Sequence, residues 1–238
     1  MDVVILQGRL ALLLLSSLPA EQKSRITIVS VGGKSPIRRI LNRKSHSLIS
    51  KLDKTLMLPI ALYTQLRIAR MWSFNTPQNL FKVTNQGINT DEVMSCINSL
   101  SPRRVLLMGT EILQPTHTIT CPKIYNLHAG LAPQYRGLWN WFWPSYFKDY
   151  SGNGVTVHLV ESRADAGKVI LREKYLTQAH DSLTTLLHKS LSAQRKIMIK
   201  FFDSELNDSY LPFGEVGDHL FEPGISNLIK FELGREKS

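Results

Sequence analysis

The chain is poor in residues that staple, ligate or anchor. It has two cysteines, Cys96 and Cys121, which make no CxxC pair and no disulfide framework. A reducing, cytoplasmic setting fits that usage. No histidines and cysteines cluster at metal-ligand spacing, so no structural zinc or other metal centre is expected. No apolar run reaches the roughly 18 to 20 residues of a membrane span. No GxGxxG follows the first β-like run, which removes the dinucleotide fingerprint. The stretch "GGKS" at 32–35 ends like a phosphate-binding loop, but the glycine required five residues before Gly33 is Ile28.

Acid is also scarce. Lys and Arg number 29 against 19 Asp and Glu, a formal net charge of +10. The imbalance is concentrated between Lys34 and Arg70. There Lys34, Arg38, Arg39, Arg43, Lys44, Lys51, Lys54, Arg67 and Arg70 face the single acid Asp53. Such a balance suits an anionic partner: a phosphorylated substrate, an acidic membrane surface or a nucleic acid. A plain solvated helix face accounts for it equally well.

What is present is ordinary globular material, 43% hydrophobic and 20% charged over 238 residues. Short β-rich runs alternate with helical ones. "DVVILQG" (2–8), "RITIVSVGG" (25–33), "LFKVT" (80–84), "RRVLLMG" (103–109), "KIYNLHA" (123–129), "GVTVHLVE" (154–161) and "KVILREKYL" (168–176) read as strands. Residues 9–22, about 36–72, 90–100 and 181–206 read as helices, with Thr90 and either Asp181 or Ser182 as N-caps. The apolar stretch at 9–21 resembles a signal peptide, but an acid and a strand-like run precede it, so it reads as the first helix. The alternation predicts an α/β fold, a Rossmann-like, mostly parallel sheet with helices on both faces. One catalytic domain would span 1–206, with a basic helical insertion at about 34–72. The tail 207–238 carries no element of its own in this reading.

In "IYNLHAGLAPQYRG" (124–137), Asn126 and His128 share a face of a strand because side chains alternate. In parallel sheets, ligands sit beyond the carboxyl ends of strands, which is where this pair falls. A carboxamide can hydrogen-bond a carbonyl oxygen as it gains charge. An imidazole can move a proton near neutral pH. Asp165, in "ESRADAGKVIL" (161–171), could raise the pKa of His128 and fix its tautomer if the two met. Read alone, Asn-x-His is an ordinary strand end and Asp-Ala-Gly an ordinary turn.

"NLHAGLAPQYRG", followed after a short spacer by "GVTVHLVESRADAGKVIL", resembles the core of the folate-dependent formyltransferases. That family includes the glycinamide ribonucleotide, methionyl-tRNA and nucleotide-sugar N-formyltransferases. The resemblance implies a Rossmann-like fold, a 10-formyltetrahydrofolate donor and a primary amine acceptor. It implies that Asn126 holds the formyl oxygen, that His128 stabilises the tetrahedral intermediate or relays a proton, and that Asp165 orients His128. "MGTEIL" (108–113) is similar to the family segment that lines the pterin pocket. Gly109, Thr110, Glu111 and Leu113 become donor-binding candidates, with Glu161 and Arg163 on the facing loop. A Glu111 carboxylate does not suit an anionic donor tail. His158 belongs to the same pattern and reads as a buried structural residue. Trp139, Trp141 and Trp143 read as core, or as a wall facing the acceptor.

"AGLAP" after the histidine resembles the amino-sugar branch more than the tRNA branch. The loop "LQGRLA" lacks the Gly- and Ser-rich run of the purine-pathway enzymes. A nucleotide-linked amino sugar, for surface glycan synthesis, is the expected acceptor. Another small amine, such as a purine precursor or hydroxy-amino acid, is the alternative. A non-catalytic nucleic-acid-binding role is a third reading. It would call for aromatics among the basic residues, and 34–72 offers only Tyr63 and Trp72. The basic insertion could cover the acceptor site or rest on a membrane surface. The oligomeric state stays open, a homodimer included.

Overall fold

The structure is a computed structural model that describes residues 1–32, 40–42, 47–72, 79–84, 87–114, 116–205, 209–212 and 214–235. Lys34, Arg38, Arg39, Arg43 and Lys44 of the basic stretch, and most of "GGKS", lie outside the described residues.

In chain order the elements are β1 (Asp2–Gln7), α1 (Arg9–Ser16), α2 (Ala20–Arg25), β2 (Ile26–Val31), α3 (Leu48–Met71), β3 (Leu80–Thr84), α4 (Asp91–Ser99), β4 (Arg104–Met108), β5 (Ile124–His128), β6 (Arg136–Gly137), α5 (Trp143–Tyr146), β7 (Gly154–Leu159), β8 (Val169–Lys174), α6 (Leu183–Asp203), β9 (His219–Leu220) and α7 (Ile225–Arg235). Seven strands form one sheet in the order β3-β2-β1-β4-β5-β7-β8. The first five pair parallel, and β7 runs antiparallel to both β5 and β8. β6 and β9 make a separate parallel pair. The expected mostly parallel sheet is what is found.

Both faces of the sheet are covered, so its central strands are apolar on both sides. On one face Val4, Leu6, Ile28, Leu106, Tyr125 and Leu127 pack against Leu14 and Leu15 of α1 and Ile197, Met198 and Phe201 of α6. On the other, Val3, Ile5, Val29, Val105 and Leu107 meet Val93, Met94 and Ile97 of α4. Period-2 alternation therefore sends Tyr125 and Leu127 to the first face and leaves Asn126 and His128 on the second.

Local chemistry sets several boundaries. The Thr90 side chain accepts from Val93 N at 3.4 Å, starting α4. Ser182, not Asp181, caps α6, accepting from Thr185 N at 3.2 Å. Asp181 instead accepts from Gln178 N and from the Lys189 ammonium. Two expectations change. The helix read over 9–22 splits into α1 and α2, because Pro19 sits at the N-cap of α2 in an extended conformation. The tail also carries β9 and an eleven-residue helix, α7, which buries Leu228 and Phe231.

Candidate active site

β5 ends in the sheet interior with Asn126 and His128 on one face. In the antiparallel ladder Asn126 lies opposite His158 of β7, and His128 opposite Thr156. The turn joining β7 to β8 brings Asp165 over the same spot. Asp165 adopts a left-handed conformation, φ +51°, one that a short polar side chain tolerates. Its backbone turn is pinned from outside, since the buried Arg136 donates from Nε to Ala164 O at 2.9 Å.

The group is tightly interlinked. Asn126 Nδ2 lies 3.2 Å from His158 Nε2 and 3.3 Å from Asp165 Oδ1, across 39 residues of sequence. His158 Nδ1 lies 2.8 Å from its neighbour's carbonyl, Leu159 O, so its proton sits there and Nε2 accepts from Asn126. His128 Nδ1 is 3.4 Å from Asp165 Oδ1, and His158 Nε2 is 3.6 Å from it. The other carboxylate oxygen, Oδ2, accepts from Gly137 N at 2.8 Å. His128 Nε2 approaches Tyr135 O at 2.8 Å, which places its proton on Nε2 and leaves the Nδ1 lone pair facing Asp165. The Tyr135 hydroxyl donates to Asp149 at 2.7 Å and so holds the segment that aims this carbonyl.

Burial governs the charges. Taking His128 out of water lowers its pKa below the ordinary histidine value. Asp165 works against that shift, and the neighbouring His158 reinforces it. Burial alone would raise the Asp165 carboxyl. The His128 ring, the His158 ring and the Gly137 amide outweigh it and hold the carboxyl well below the usual range. The result is a buried neutral base beside a half-buried carboxylate.

The structure thus brings Asn126, His128 and Asp165 into one cluster. Gly109 stands next to it, because Met108 pairs with Leu127 and the following residues are neighbours. Gly109 takes φ +65° and turns the chain off β4. Thr110 is half-buried beyond it, and Leu113 packs on the α4-side core. Glu111 N donates to Gln7 Oε1 at 3.1 Å, and the Glu111 carboxylate lies against Gly87. Glu161 and Arg163 are exposed on the β7–β8 turn, where Glu161 Oε1 accepts from Lys168 N at 3.4 Å. Trp143 is buried. Trp139 and Trp141 stack at 4.9 Å and line a cavity of about 140 Å³ with Leu10, Ala61, Thr64, Gln65 and Leu187.

Sequence reasoning misses Asn140. Its side chain is buried against His128, its carboxamide 3.2 Å from Nε2. An Asn between two tryptophans carries no local signal of this role. Also unforeseen is the strap formed by the tail. Gly217 N donates to Pro133 O, Leu138 N to Leu220 O, Arg136 Nη1 to Gly217 O and Trp143 Nε1 to Phe221 O.

The family model for formyl transferases matches residues 63–202, which contain all of this cluster. The chain belongs to the formyl transferase family. A methionyl-tRNA formyltransferase of Thermodesulfovibrio yellowstonii is 24% identical over 137 residues, 57% of this chain and 44% of that protein. The chain therefore spans less than half the length of that relative. Among solved structures, a sugar N-formyltransferase from a Shewanella species aligns with a TM-score of 0.56 at 13% identity, over 92% of this chain and 76% of the other. A sugar 3N-formyl transferase solved with dTDP and 5-N-formyl-THF gives 0.53 at 15% identity, over 91% and 67%. The phosphoribosylglycinamide formyltransferase of Anaplasma phagocytophilum gives 0.52 at 17% identity, over 93% and 99%. At such identities the likeness establishes the shared fold.

Proposed function

We propose that this formyl transferase-family chain moves a formyl group from 10-formyltetrahydrofolate to a primary amine, and that the amine belongs to a nucleotide-linked amino sugar. The observation that carries the transfer reading is the contact between a buried neutral imidazole and a half-buried carboxylate beside a carboxamide. The donor supplies the formyl carbon.

The residues suit it as follows. Asn126 has one N–H on His158 and one on Asp165, and the second is the one that can turn to an oxygen gaining negative charge. His128 offers Nδ1 as the proton acceptor, and Asp165 at 3.4 Å stabilises the imidazolium that forms. Gly137 N keeps the carboxylate in place meanwhile. The segment Gly109–Leu113 leaves the strand beside β5, and Glu161 and Arg163 stand on the facing turn, so the donor fits between them. Glu111 turned against Gly87 leaves its backbone, rather than its charge, to line that space.

Three things support the sugar acceptor: the "HAGLAP" variant, the excess of basic residues that suits a diphosphate, and a fold shared with sugar N-formyltransferases. Incubation with 10-formyltetrahydrofolate and a panel of nucleotide-linked amino sugars, with a phosphoribosyl amine included, tests it. A one-formyl mass gain on an amino sugar supports the reading. Gain on the phosphoribosyl amine alone moves the acceptor to the purine precursors, a reading that the nearly full-length match to the Anaplasma enzyme's fold favours.

A further inference from the structure

We infer that α3 docks the protein on an anionic membrane surface, an interaction outside the transfer chemistry. The helix buries Met57, Ala61, Thr64 and Ile68, which recur at helical spacing and face the domain. Half a turn round, Leu48, Leu52, Leu56, Leu62, Tyr63 and Leu66 form an opposite strip, each between 46% and 83% exposed. A helix apolar on both sides belongs in a covered setting, and one of these sides has no cover among the described residues.

Charge decides the occupant. At 100° per residue, Lys51 and Arg67 fall on the two edges of the strip and Arg70 at its end. The Arg67 guanidinium lies over the Tyr63 ring at 6.0 Å. The single acid on the helix, Asp53, is turned away to accept from the backbone and hydroxyl of Ser226, at 2.9 and 2.7 Å. A second copy would bring another +10 chain against this face. Anionic headgroups would meet the cations while the leucines enter the acyl boundary. Among the described residues no helix is long and apolar enough to cross a membrane, so the contact is interfacial.

The test is co-sedimentation of the full chain with vesicles of phosphatidylcholine alone or mixed with phosphatidylserine. Binding to the mixed vesicles, weakened by salt and absent from phosphatidylcholine, is expected. The paired change Leu52→Glu and Leu56→Glu, on exposed positions, should weaken binding about tenfold or more with an unchanged circular dichroism spectrum. Arg67→Ala with Arg70→Ala should reduce the preference for the anionic lipid. No binding to the mixed vesicles, or binding indifferent to both variants, overturns the inference. So does a lipid-free dimer that Leu52→Glu dissociates, which would assign the face to a second copy.

Discussion

The carboxylate of Asp165 reaches from the β7–β8 turn to within 3.4 Å of His128 Nδ1 at the end of β5. The two residues share no local sequence context, yet each sets the other's charge. Asp165→Asn keeps the shape and removes the charge. Without that charge, the pKa of His128 should fall further below its ordinary value of about 6.5. An NMR titration of the His128 ring checks this, and an unchanged or higher pKa would contradict the coupling. The rate of formyl transfer should drop by roughly 10² to 10⁴, the range for losing assisted proton transfer.

Asn140 acts on the opposite ring nitrogen. Asn140→Asp places a second negative charge near Nε2 and should move the His128 pKa upward, the reverse of Asp165→Asn. The same titration reads both, and a shift in the same direction for the two variants would refute the arrangement.

Asn126→Ala removes the amide that we propose holds the formyl oxygen. A loss of roughly a hundredfold or more in kcat is expected, the scale for one oxyanion donor. Unaltered single-turnover rates would mean that the amide only packs.

His128 also links stability to acidity. Its pKa is lowered on folding. Below about 6.5 the unfolded chain therefore binds more protons than the folded one, and stability declines as pH falls. His128→Gln should flatten that decline. Urea unfolding of both proteins at neutral and mildly acid pH measures it, and parallel slopes would argue against a buried neutral ring.

Gly137 has φ +94°, and a Cβ there would run into the Leu220 carbonyl. Gly137→Ala should cost roughly 2 kcal/mol or more in thermal or denaturant unfolding. It should also lower the rate, because the same residue's N–H holds Asp165.

Much of this was readable from the chain. The strand–helix alternation gave the layers, and Thr90 and the Asp181–Ser182 pair marked helix starts, because both signals are local. Asn126 and His128 share a face by simple alternation. Their meeting with Asp165 rested on a resemblance, since no local rule joins positions 128 and 165. Apolar periodicity ran straight through Leu18 and hid the break at Pro19. The helix Ile225–Arg235 buries only Leu228 and Phe231, too thin a stripe to stand out. Asn140 had no signal, because its partner is supplied by tertiary packing.

The four bonds from 217–221 to 133–143 mean that the far end of the described chain works as a clasp on the segment presenting Gly137 to Asp165. A protease cut in the exposed stretch ahead of Gly217 would leave Asn126, His128 and Asp165 in the chain, yet it should let that segment drift and lower the rate. Shortening the protein from this end is thus a change to its working parts.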